Sequence, residues 1–238
     1  MSNRWFPLES NPSLLNAYIS RLGFDTARYN FVDVFSVEDW ALEMVPQPVA
    51  AVIMLYPITD VQEKHRYRDN MHVIPNQKPA SPEVWHTAQR IGNACGTIGV
   101  LHALANMPKS LKGASVRKGS WLDRFYLRCP SNLSPEKKAE LLETDPQIKT
   151  MHDDATSHES NQTDRGDLTD TVETHFVALS NVGGTLYELD GRKDAPIDHG
   201  ETSEGTFLKD ACKVVKAYMD RDPGDLRFTI VALAPTTK

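Results

Sequence analysis

Three observations predict an α/β fold for this chain, as one unit spanning residues 1–238. Residues 49–55, Val-Ala-Ala-Val-Ile-Met-Leu, form an unbroken apolar run closed by Pro57, the pattern of a strand buried on both faces. The segment from Cys95 to Asn106 is apolar around most of a helical circumference, through Ile98, Val100, Leu101, Ala103, Leu104 and Ala105, which marks a core helix. Beyond a long polar stretch only a hairpin, one helix and one strand remain. That is too little for a second core, so the stretch reads as a lid on one domain rather than a linker between two.

The elements follow in order. Asn11 caps a helix that begins at Pro12, carries Leu14, Leu15, Tyr18, Ile19 and Leu22 on one face, and stops at Gly23. A short helix is expected over residues 37–45, then the buried strand. Residues 61–82 are charged, contain proline and lack an apolar period, and are expected to be loop. Amphipathic helices are expected over 120–127 and 135–143 after the core helix. From Thr144 to Thr169 the composition turns polar. Residues 151–170 hold Asp153, Asp154, Glu159, Asp164, Asp167 and Asp170 against a single Arg165, too little apolar surface to order a segment by burial. A strand over 172–182 then meets Gly183-Gly184, a turn into Leu186-Tyr187-Glu188-Leu189-Asp190, and the pair reads as a hairpin. A helix through Phe207, Leu208, Ala211, Cys212, Val215 and Met219 and a strand over 226–233 complete the fold.

Composition narrows the function. With 26 basic and 32 acidic residues the formal charge is −6, and no basic run exists to neutralise phosphates, so a nucleic-acid binder is not expected. No apolar stretch approaches the roughly 20 residues that span a bilayer, and no signal peptide opens the chain, so a cytoplasmic protein without membrane contact is expected. Cys95, Cys129 and Cys212 are an odd number without CxxC spacing, which argues against disulfides and zinc and for a reducing compartment. No phosphate loop, HExxH or GxSxG occurs, and no cofactor or metal is expected.

The segment Gln89-Arg90-Ile91-Gly92-Asn93-Ala94-Cys95-Gly96 carries the chemistry. Cys95 stands at a helix start, where unpaired N–H groups and the helix dipole favour a thiolate. Gly96 would let a substrate backbone approach. His175 lies near the start of a strand and Asp190 at the end of its hairpin partner, so pairing brings an imidazole and a carboxylate together. Gln89 is placed to donate to an oxyanion beside the Cys95 N–H. Each residue alone has an ordinary structural alternative: a buried thiol, a sheet histidine, a turn aspartate. Jointly they follow the papain-like order of roles. His152, Asp153, Asp154, His158 and Glu159 form a weaker, metal-like grouping on the polar stretch without rigid support, and His102 reads as packed.

These motifs, Gln89 and Cys95 within NACGTIG, His175 in THFVAL and Asp190 in LYELDGR, resemble the ubiquitin carboxyl-terminal hydrolases, papain-like cysteine deubiquitinases. RWFPLESNP, FVDVFSVE, VPQPVAAVIMLYPIT, HGETSE and DPGDLRFTIVALA extend the resemblance over nearly the whole chain. The resemblance implies a mostly antiparallel central sheet flanked by helices, a knotted backbone, and a flexible crossover loop over residues 147–169 that limits leaving groups to small adducts or short peptides. It implies Cys95 as nucleophile, His175 as general base, Asp190 as its orienter and Gln89 as oxyanion donor. Ubiquitin, with the modifier NEDD8 as an alternative, is the implied partner of a monomer, touching Pro7, Leu8, Glu9, Asp33, Leu226 and Phe228. For Leu8, Leu226 and Phe228 core packing remains the competing reading. A ubiquitin-holding protein with slow turnover remains the alternative function.

Overall fold

The computed structural model describes residues 4–157 and 172–237. Helix α1 (Pro12–Leu22) begins as expected, with the Asn11 carboxamide accepting from the Ser13 and Leu14 N–H groups. Strand β1 (Tyr29–Asp33), the four-residue α2 (Asp39–Leu42) and β2 (Ala51–Pro57) follow. The buried strand thus sits two residues later than the apolar run suggested, with Pro57 as its last residue.

Residues 61–82 depart from the loop expectation. They open with α3 (Asp60–Arg68), continue as a π turn (Asp69–Val73) and end in a 3-10 turn (Ile74–Asn76). No apolar stripe holds α3. Thr59 caps it by accepting from the Gln62 N–H, and the Glu63 carboxylate takes Arg66 at 2.9 Å and Arg192 at 2.6 Å. Gln62 is buried and donates to the Tyr218 carbonyl at 2.9 Å. Polar anchors replace the hydrophobic face.

Next come α4 (Cys95–Ala105), α5 (Lys109–Ser115), α6 (Trp121–Arg128) and α7 (Pro135–Glu143). Every residue of α4 is buried. The polar stretch then gives a second correction: α8 (Pro146–Thr156) occupies the first half of the expected crossover loop. Asp145 caps it by accepting from the Gln147 and Ile148 N–H groups, Pro146 opens it, and Ile148, His152 and Ala155 form its buried face. Residues 158–169, the rest of that loop, lie outside the described residues, as do His158 and Glu159.

Strands β3 (Thr174–Val182), β4 (Thr185–Leu189) and β5 (Ile197–Glu201), helix α9 (Phe207–Met219) and strand β6 (Thr229–Pro235) complete the described chain. The sheet order is β1-β6-β2-β3-β4-β5, and all five pairings are antiparallel. Strand alternation splits the apolar residues into two layers. Ile53, Phe176, Ala178, Val231 and Leu233 pack with Ile98, Leu101 and α1, whereas Val52, Met54, Val177, Leu179, Ile230 and Ala232 pack with Phe207, Leu208, Ala211 and Val215 of α9. This double coverage explains the unbroken apolar run of β2.

Candidate active site

The backbone before α4 sets the position of the thiol. Asn93 adopts a left-handed conformation, φ 63°, which asparagine tolerates better than most residues, and the chain turns from it into α4. Ala94 at the cap offers no side-chain acceptor, so first-turn N–H groups stay directed at whatever stands there. The Cys95 sulfur stands there, with the Gly96 and Phe176 N–H groups beside it. Gly96 is required, for a reason other than substrate approach: a Cβ there would lie 2.9 Å from the Leu8 Cβ and 3.4 Å from the Phe176 ring. The amino-terminal segment already fills that space.

His175, Asp190 and Cys95 meet. The β3–β4 hairpin pairs Ala178 with Leu189, so Asp190 continues β4 within side-chain reach of His175. His175 Nε2 lies 2.7 Å from Asp190 Oδ1, both residues buried. With Nε2 so engaged, Nδ1 is the ring nitrogen left to interact with the Cys95 thiol. Tyr56 backs the imidazole edge-on, ring centroids 5.7 Å apart.

Burial opposes ionisation of all three groups, and their mutual interactions overcome it. Desolvation would raise the Cys95 thiol, but the hydrogen bond and charge of His175 and the neighbouring N–H groups bring it below its ordinary value. His175 would be lowered by desolvation but is raised to about 9 by the charge and hydrogen bond of Asp190 and by Cys95. Asp190 would be raised by burial but is held at about 2 by His175 and by the more distant Lys193 charge. The shifts favour a thiolate beside an imidazolium, the reactive form of a cysteine nucleophile.

Gln89 is fastened to the same turn. Its backbone N–H donates to the Gly191 carbonyl at 2.7 Å, and its side-chain amide spends one N–H on the Ile91 carbonyl at 3.2 Å. A Cβ on Gly191 would come within 2.9 Å of both Gln89 Cβ and Ile98 Cγ2, so glycine is the residue that lets these segments touch.

Asp190 has supports that no sequence motif marks. His86 Nε2 donates to the Asp190 carbonyl at 3.0 Å, and His102 Nδ1 donates to the Leu189 carbonyl at 3.2 Å. The Thr87 N–H donates to His102 Nε2, so His102 is neutral, and burial followed by the nearby His86 pushes it well below the ordinary imidazole range. The two rings stack 5.1 Å apart. His102 is thus packed, as expected, and it also holds backbone. Lys193, whose N–H closes the turn onto the Asp190 carbonyl, buries its ammonium against Glu188 and, at 2.8 Å, Asp69. The local signal for this support is a lysine three residues after Asp190 and five after Glu188; its other partner, Asp69, is 124 residues away. Lys193→Met removes the buried cation that Glu188 and Asp69 share, leaving Glu188 only His199 and the Tyr218 hydroxyl and Asp69 only the half-exposed Arg68, and should destabilise the protein by about 3 kcal/mol in urea unfolding. A loss under about 1 kcal/mol would contradict that role for the network.

The residues expected to touch a partner differ in exposure. Leu8 is only 4% exposed, whereas Pro7 and Glu9 are half-buried. Asp33 is exposed at the end of β1, its carboxyl raised by partial desolvation. Leu226 is 92% exposed, and Phe228 is half-buried against the α9 layer. Phe35, two residues past the β1–β6 pairing, is 74% exposed, which its apolar neighbours Val34 and Val37 conceal at the level of sequence. His152 points inward from α8, contrary to its expected place on an unsupported loop. Among the described residues no group of three potential ligands is arranged for a metal, and no helix is long and apolar enough to cross a membrane. Cys129 and Cys212 are buried free thiols, Cys212 raised to about 12 by desolvation.

The family model for ubiquitin carboxyl-terminal hydrolase, family 1, matches residues 5–220. Ubiquitin carboxyl-terminal hydrolase 3 of Arabidopsis thaliana is 42% identical over 238 residues, covering 99% of this chain and 96% of the relative. The Homo sapiens ubiquitin carboxyl-terminal hydrolase isozyme L1 is 40% identical over 227 residues, covering 95% and 96%. The Trichinella spiralis UCH37 catalytic domain, solved bound to ubiquitin vinyl methyl ester, matches with a TM-score of 0.75 at 19% identity, covering 99% of this chain and 97% of that one. At that identity the likeness speaks for the fold.

Proposed function

The chain belongs to the ubiquitin carboxyl-terminal hydrolase family, a family of cysteine-type deubiquitinases, and from that premise we propose that it hydrolyses amide, ester or thioester bonds after the terminal glycine of ubiquitin. The observation that carries this reading is the grouping of Cys95, His175 and Asp190, with His175 Nε2 2.7 Å from Asp190 Oδ1 and its imidazole interacting with the buried thiol. Cys95 attacks the glycine carbonyl, and the Gln89 amide and Cys95 N–H hold the oxyanion. His175 gives its proton to the leaving amine. It then takes one from water as water attacks the thioester, and the thiolate departs with free ubiquitin. Asp190 keeps the imidazole oriented and stabilises its charge.

Small adducts and short peptides are the proposed leaving groups, in a monomer acting in the reducing cytoplasm; all four site residues come from one chain. Pro7, Glu9, Asp33, Leu226 and Phe228 are the proposed ubiquitin contacts, joined by Phe35, whose exposure suits an apolar partner surface. The acidic balance suits a partner with a basic contact face. Because the triad is assembled before any partner binds, an active hydrolase is favoured over a ubiquitin-holding protein. Turnover of ubiquitin and of NEDD8 bearing a fluorogenic leaving group tests both the activity and the choice of modifier; failure to cleave ubiquitin would contradict the proposal. In the same assay Gln89→Ala should lower kcat by about 10²-fold with little change in KM, since the donor acts on charge that develops in the transition state. A rise in KM at unchanged kcat would assign Gln89 to binding instead.

A further inference from the structure

Outside the triad, His152 is a buried polar side chain that links the nucleophile helix to the amino-terminal segment. Its ring is buried beneath α8, 4.5 Å from the Trp5 ring centroid. Nε2 lies 2.6 Å from the Phe6 carbonyl, which can only accept, so Nε2 carries the proton. Nδ1 then faces the Thr97 hydroxyl at 2.9 Å, and the Tyr18 hydroxyl completes the chain 2.9 Å beyond. Thr97 is two residues from Cys95, inside the first turn of α4. One imidazole therefore joins α8, α4, α1 and the amino-terminal segment.

That segment braces the nucleophile loop at both ends. The Trp5 N–H donates to the Gly92 carbonyl at 2.9 Å, and the Leu8 side chain fills the space that a Cβ on Gly96 would need. Phe6, the residue held by His152, lies between those two contacts. We propose that His152 is a positioning residue for Cys95, fixing residues 5–8 against residues 92–96 so that the sulfur stays on His175 and on the first-turn N–H groups. Without its two polar contacts the Phe6 carbonyl and the Thr97 hydroxyl lose buried partners, Leu8 is free to shift from Gly96, and the first turn of α4 loses its wall.

This inference rests on the hydrolase reading for its kinetic arm only, because alkylation of Cys95 by iodoacetamide needs no ubiquitin. His152→Phe keeps a ring against Trp5 and removes both hydrogen bonds. It should lower kcat about tenfold with KM within about twofold, and move the pH profile of Cys95 alkylation to higher pH, read on protein shown to be folded by circular dichroism because an unfolded chain would also titrate at the ordinary thiol value. His152→Gln, able to donate and accept at the same two ends, should recover most of both. A folded His152→Phe with an unmoved alkylation profile, or with raised KM at parental kcat, overturns the proposal. Should that variant not fold, Tyr18→Phe carries the test: it removes the outer member of the chain and should shift alkylation the same way with about a threefold loss of kcat, and an unchanged profile there overturns it. If the unmodified protein does not turn over ubiquitin, the hydrolase reading fails, and the alkylation profiles still decide the role of His152.

Discussion

Replacing Cys95 by alanine should reduce turnover of a ubiquitin substrate by about 10⁴-fold or more, while ubiquitin binding persists. The size follows from what the thiol supplies. In the proposed mechanism Cys95 forms the covalent intermediate, and its sulfur is lowered below the ordinary thiol range by His175 and by two N–H groups. Neither of the other cysteines can take over, since Cys129 and Cys212 are buried and raised. Residual activity from the Gln89 donor and substrate positioning sets the floor. Undiminished cleavage by Cys95→Ala, measured with a fluorogenic leaving group, would remove the nucleophile assignment.

Asp190→Asn has the second largest expected effect and a pH signature. In the unmodified protein His175 is raised to about 9, chiefly through Asp190, so the imidazolium persists up to that pH and the rate should fall as pH rises through it. The stability from this pair has the same sign: it is fully present below the ordinary imidazole value of 6.5 and lost as pH rises through about 9. On the acid side the contribution of Asp190, held at about 2, is present above its ordinary 3.8 and lost as pH falls through about 2. Asparagine removes the charge but leaves the burial that lowers His175. The alkaline limb of kcat/KM should therefore move to lower pH, and kcat should fall by about 10²–10⁴-fold. An alkaline limb that stays in place would mean that Asp190 orients His175 without stabilising its charge.

The parts of the fold legible in the sequence are those where burial repeats at a fixed period. β2, α4 and α9 pack into continuous layers, so their apolar patterns suffice, and the adjacent glycines Gly183 and Gly184 take the positive φ values, 63° and 85°, that the turn between β3 and β4 needs. α3 was not legible because its anchors lie elsewhere in the chain: Gln62 reaches Tyr218, and Glu63 reaches Arg192. Local pattern cannot encode those partners. α8 was legible in principle. The Asp145-Pro146 start and the spacing of Ile148, His152 and Ala155 were present, but the acidic composition that follows obscured them. β1 and β5 are short strands at the two edges of the sheet, where one-sided pairing leaves little alternation to read.

At the site, the sequence could point to Cys95, His175, Asp190 and Gln89, which the fold brings near one another, because each sits in a short motif with a proposed chemical role. It could not point to their supports. His86, His102 and His152 act through backbone carbonyls, and a carbonyl acceptor leaves no mark on the sequence. Gly96 shows the same limit: its smallness was evident, but Leu8, the neighbour that requires it, is 88 residues away.

The central claim is that the resting triad is already competent for hydrolysis, and single-turnover cleavage of ubiquitin bearing a fluorogenic leaving group tests it most directly. The account predicts release on the order of 1 s⁻¹ or faster at neutral pH, with ubiquitin captured transiently on Cys95 as a thioester. Saturable ubiquitin binding with no thioester and no release would contradict it and assign the protein to ubiquitin holding.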